Sequence, residues 1–199
     1  SVKHSWRASK HDGIASVVTF VSTLGFAPHL DQGIMLGAGL AIVLYLYRTM
    51  RPRVAHLGRY DDGTLRDLAV HPDMPTDEKI IVIRFDGSLY FANTGYFEDK
   101  ILERVALKPD LKFIIVDAEG INSIDATGEE MLSGLVDRLK DAGVELIFAR
   151  AKKQLWDTFE RTHLMDKLGR DHMFALRTQA FNYVWNRLGD DHAETCPLR

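Results

Sequence analysis

The chain has 199 residues, 46% hydrophobic and 27% charged, a mixture that suits a packed structure and excludes a disordered polyelectrolyte. Its formal net charge of −3 divides unevenly: residues 1–60 carry seven Lys/Arg against two Asp/Glu (+5), and the remainder carries 18 basic against 26 acidic side chains (−8). An acidic body excludes phosphate-backbone binding as the main task, so no nucleic-acid partner is expected, and the single Cys196 excludes an internal disulfide.

Two uncharged apolar runs open the chain, residues 13–28 and 33–47, separated by the polar residues 29–32. Spanning a bilayer core takes about 20 apolar residues, so each run is short as an independent span and suits a helix sheltered in a larger membrane bundle. A signal peptide would fit the basic flank of Lys3, Arg7 and Lys10, but no small-residue cleavage site follows and a second run arrives at once. A hairpin buried within a soluble protein is the other reading. Basic residues also follow the second run (Arg48, Arg51, Arg53), which places both ends on the cytoplasmic side of a bilayer. Gly33, Gly37 and Ala41 recur every fourth residue, a spacing that admits another helix closely. Pro52 stops the second helix. The expected unit is a two-helix membrane hairpin over residues 1–54.

From Gly63 the periodicity changes. Residues 65–70 alternate loosely, Ile80–Phe85 is a β-branched run, and the turn-forming residues between them suggest that the two strands pair as a hairpin. Residues 88–92 read as extended. Asn93 or Thr94 caps a helix with an apolar stripe of Tyr96, Phe97, Ile101, Leu102 and Val105. Residues 112–116 form a buried strand ending in Asp117. Thr127, with Glu130 three residues on, has the spacing of a capping box and starts a helix that Gly143 ends. Residues 144–149 are the next strand, followed by a helix carrying Leu155, Trp156 and Phe159. Residues 174–176 add an edge strand, and a last helix carries Ala180, Phe181, Val184, Trp185 and Leu188. This alternation gives an α/β fold with right-handed crossovers and a sheet covered on at least one face.

The stretch from Val116 to Leu132 (VDAEGINSIDATGEEML), with its Ile124-Asp125-Ala126-Thr127-Gly128 turn, resembles the signature of the STAS domain. That domain is shared by bacterial anti-sigma-factor antagonists and the cytoplasmic tails of sulfate permease (SulP) anion transporters. The Asp117 element before the Asp125 element, and residues 85–93 (FDGSLYFAN), look more like the transporter branch. The front of the chain is similar to the last two membrane helices of a SulP transporter. The resemblance implies a STAS-like mixed β-sheet covered by α-helices over residues 55–190, behind the hairpin and ahead of a polar tail at 191–199. It implies the C-terminal part of a secondary transporter of sulfate, bicarbonate or a dicarboxylate, multi-pass in the inner (plasma) membrane, with the STAS domain in the cytoplasm. Its partners would be the lipid bilayer, the rest of the transporter's membrane domain, a second copy of the chain and a cytoplasmic protein. The rival is a soluble antagonist-like partner-switching protein. Transport sites of the family lie mainly in earlier helices, so no substrate residue carries over.

Asp117, Glu119 and Asp125 gather at one strand end and either hold Mg²⁺ or organise the loop by accepting backbone N–H bonds; the second reading is preferred. No phosphate-binding Gly-rich loop is present, the eight histidines lack ligand spacing, and Cys196 reads as a tail residue, so no catalytic residue, cofactor or metal is expected. The loop holding Asp117, Asn122, Ser123, Asp125, Thr127 and Gly128 is the expected partner- or anion-binding surface. Thr127 matches the serine phosphorylated in the antagonist branch, and is read either as a phosphorylation site or as a plain N-cap.

Overall fold

The apolar runs fold as helices α1 (Lys10–Gly25) and α2 (Leu30–Thr49) in a computed structural model that describes residues 10–25 and 30–199. The flanking Lys3 and Arg7, the end of the first run at 26–28, and His29 lie outside the described residues. Asp31 and Gln32, expected in a loop, form the first turn of α2, where an acidic side chain is favoured by the positive helix end. The helices run antiparallel: Gly33 meets Thr23 and Gly37 meets Thr19, so closely that an added Cβ would lie 2.7 and 2.6 Å from those residues. Ala41 is exposed instead. Four residues advance a helix by roughly 400°, so each step of the Gly-Gly-Ala series turns about 40° further from the seam. Large apolar side chains including Phe20, Leu24, Ile34, Met35, Ile42, Val43 and Tyr47 are exposed. Among the described residues, no helix is long and apolar enough to cross a membrane. This unit ends at Arg51.

The second unit runs from Pro52 to Arg199. Its strands are β1 (Val54–Arg59), β2 (Leu65–Asp67), β3 (Ile80–Phe85), β4 (Phe113–Asp117), β5 (Glu145–Ala149) and β6 (Met173–Phe174), in the order β2-β1-β3-β4-β5-β6. β1 is antiparallel to both β2 and β3, and β3 to β6 are mutually parallel. The expected hairpin between residues 65–70 and Ile80–Phe85 is corrected by β1, which lies between them and pairs with both. Residues 88–92 contribute only the isolated bridge Leu89–Ile124.

Between strands come α3 (Thr94–Leu107), α4 (Ala126–Asp141), α5 (Lys153–Arg161) and α6 (Leu164–Leu168); α7 (Arg177–Leu188) and α8 (Asp190–Thr195) follow β6. Strand alternation sorts side chains to two faces. Ile81, Ile83, Phe85, Ile114, Val116 and Phe148 pack with Phe97 and Ile101 of α3, Leu132 and Leu135 of α4, and Phe159 of α5. Ile80, Val82, Phe113, Ile115 and Ile147 pack with Ala180, Phe181 and Val184 of α7. Helices therefore cover both faces. The final residues, polar in sequence, pack as well: Ala193 of α8 is buried, and Cys196 and Leu198 just after it join the core on the α7 face.

Candidate functional site

Asp117 shares its parity with Phe113 and Ile115, so it points to the α7 face and is fully buried at the carboxyl end of β4. Arg177, at the start of α7, meets it there: Nε donates to Asp117 Oδ2 at 2.9 Å and Nη2 donates to the same oxygen. Glu119 sits in the 3-10 turn after β4 (Ala118–Gly120), ion-paired with Arg150 and 3.8 Å from Arg177. Arg150 follows β5 in the left-handed region, at φ 59°. Lys152 donates to Asn122 Oδ1. The carboxyl ends of β4 and β5 thus carry an interlocked set of two acids, two arginines, an amide and a lysine. Gly120 allows it: an added Cβ would meet the Phe85 carbonyl oxygen at 2.3 Å, so only glycine lets the turn lie against the end of β3.

Asp125 organises the other half of the loop. Its Oδ1 accepts from the Gly128 amide at 2.8 Å and its Oδ2 from the Phe91 amide at 2.9 Å. Asp125 is therefore the N-cap of α4 and Thr127 lies within the first turn, which corrects the reading of Thr127 as cap. An extended residue whose short carboxylate reaches the third amide onward fills the cap position, and the hydroxyl two residues later has no such reach. Thr127, Asn122 and Ser123 are exposed, whereas Gly128 is buried beneath Leu89 and Ile124. The Ser123 carbonyl accepts from the Leu89 amide at 3.0 Å and the Leu89 carbonyl accepts from the Asp125 amide at 3.1 Å, so the loop is stitched to residues 89–91.

Asp117, Glu119 and Asp125 do not converge on one point as a cation site; each carboxylate is engaged by an arginine or by backbone amides. Sequence reasoning missed Arg177 and Arg150. Arg177 lies 60 residues from its partner, beyond any local periodic signal. Among the described residues, the side chains that approach metal-ligand spacing are Asp77, His192 and Cys196, at the amino end of β3, the opposite end of the parallel strands.

A model of the STAS domain family matches residues 71–180. Probable sulfate transporter 4.2 of Arabidopsis thaliana is 27% identical over 181 residues, an alignment that takes in 85% of this chain and 26% of that protein. The murine Solute Carrier 26 family member A9 (Slc26a9) anion transporter in its inward-facing state superposes with a TM-score of 0.81 at 20% identity, over 91% of this chain and 30% of that one. A second structure, of SLC26A9, gives a TM-score of 0.83 at 18% identity over 99% of this chain and 34% of its own. The chain spans only about a quarter of the curated sulfate transporter, at 26% of its length.

Proposed function

The chain belongs to the STAS domain family, and from that premise we propose that it is the C-terminal part of a SulP-type secondary transporter of a small anion such as sulfate, bicarbonate or a dicarboxylate. The observation that carries this reading is a helix pair with large apolar side chains exposed, joined directly to a STAS fold. Exposed Phe20, Leu24, Met35 and Val43 need cover, which neighbouring membrane helices and lipid supply without the cost of ordering water around them. The similarity to a sulfate transporter supports the same reading.

In this reading the hairpin is the last helix pair of a multi-pass inner (plasma) membrane protein, and the STAS domain acts from the cytoplasm in assembly and regulation rather than as an enzyme. Its partners are the rest of the membrane domain, a second copy of the chain and a cytoplasmic protein that docks on residues 122–128. The exposed Asn122, Ser123 and Thr127 suit such docking, and Thr127 is where a phosphate would act, two residues from Glu129. The test is fractionation. Chain 1–199 should sediment with membranes and require detergent, whereas residues 52–199 expressed alone should remain monodisperse in plain buffer. A 1–199 chain that stays monodisperse without detergent would sink the membrane assignment.

A further inference from the structure

We propose that Asp77, His192 and Cys196 form a site for a thiophilic divalent cation, Zn²⁺ by its chemistry, that clips α8 to the segment entering β3. One carboxylate oxygen, one imidazole nitrogen and the thiol sulfur all lie within 4.8 Å of one another. A tetrahedral Zn²⁺ holds sulfur at about 2.3 Å and nitrogen or oxygen at about 2.0–2.2 Å, so only a small inward adjustment is needed. The mixed sulfur, nitrogen and oxygen set selects zinc over Mg²⁺ or Ca²⁺, which prefer oxygen alone.

Three features of the pocket point to a ligand. The first is His192 Nε2, which is buried and makes no hydrogen bond, although Asp77 Oδ2 is only 3.1 Å away. The nitrogen and the carboxylate oxygen thus face each other closely without hydrogen-bond geometry, and an ion between them would engage both. The second is the orientation of the carboxylate. Asp77 is 4% exposed, and its Oδ1 accepts from the Lys79 and Ile80 amides at 2.8 and 3.0 Å, which fixes Oδ2 toward the histidine. Backbone bonds of this kind are what orient a metal-binding carboxylate. The third is the sulfur environment. Cys196 is 5% exposed, and its sulfur lies within 4.8 Å of both the Asp77 oxygen and the His192 nitrogen, so all three donor atoms face one buried point.

Burial, with Asp77 acting in the same direction, holds the Cys196 thiol proton more firmly than usual. Coordination displaces that proton to solvent and leaves a metal-bound thiolate. The His192 side chain, 19% exposed, leaves a path for the ion. Asp77 and His192 are far apart in sequence, so one ion closes a long loop and adds a bond between the six-residue helix α8 and the entry to β3.

The experiment uses chain 1–199 in detergent, stripped with chelator and titrated with Co²⁺ and then Zn²⁺. The expected result is one Co²⁺ per chain with a sulfur-to-cobalt charge-transfer absorption, displaced by Zn²⁺. Cys196→Ser should abolish that absorption, and His192→Ala should weaken Co²⁺ binding at least about tenfold. No uptake, uptake without the absorption, or equal affinity in H192A would overturn the proposal. Should a variant fail to fold, alkylation of the unaltered chain decides, since Cys196 is its one cysteine. Zn²⁺ should slow that alkylation and chelator restore it; equal rates with and without Zn²⁺ overturn the site.

Discussion

Asp125 directs its two carboxylate oxygens at the amides of Gly128 and Phe91, which ties the start of α4 to the segment after β3. Replacing it with alanine removes a helix cap and strands a second amide, so D125A should lower stability by about 1–2 kcal/mol in denaturant titration. T127A removes an exposed hydroxyl inside the first turn and should stay within about 0.5 kcal/mol. Equal losses would return the cap to Thr127. His56, on β1, sets an acid limit. Burial, then Arg104 and Lys108, lower its pKa from 6.5 to about 4, with Asp67 opposing. The unfolded chain therefore takes up a proton first as pH falls. Stability from the neutral imidazole is complete above about pH 6.5 and declines as pH drops from there toward 4. A His56→Gln variant should show a flatter melting profile over that window, and an unchanged slope would remove His56 as the cause.

At the scale of elements, the Asp117–Arg177 pair joins the end of β4 to the start of α7. Asp117 is fully buried and the Arg177 side chain is 31% exposed. R177M leaves a buried carboxylate without its partner and should cost about 3 kcal/mol, while adding D117N should recover part of that loss. If R177M alone is neutral, the pair does not hold α7. The elements that were legible in sequence share one property: β3, β4, β5, α3 and α4 each carry a dense apolar pattern of their own. β1 was not legible, because Val54, His56 and Gly58 interrupt its alternation and only Ala55 and Leu57 reach the α7 face. The loop around Asp125 could be located from its local spacing, but the same reasoning puts the cap on Thr127, because the Glu130 spacing suits a capping box. The reach of the Asp125 carboxylate to the Gly128 amide shows only in the fold. Arg177 and His192 needed tertiary knowledge, as each meets a carboxylate distant in the chain.

On the scale of the whole molecule, a basic apolar front and an acidic body correspond to two units dividing at Arg51 and Pro52. Two helices cannot enclose a polar path across a bilayer, and anion sites of secondary transporters form where several helices meet near the midplane. The chain by itself should therefore carry no anion flux into vesicles. If it is the end of a longer transporter, removing everything after Pro52 from that protein should lower transport rate or assembly and leave the order of preferred anions unchanged. Flux of two competing anions, measured in the same vesicles before and after truncation, separates the cases. A uniform fall in both fluxes identifies a domain that sets how many transporters assemble or how readily they cycle. A changed ratio would mean that side chains beyond Pro52 contact the anion, and the acidic body would then act directly on selectivity by repelling the more highly charged ion.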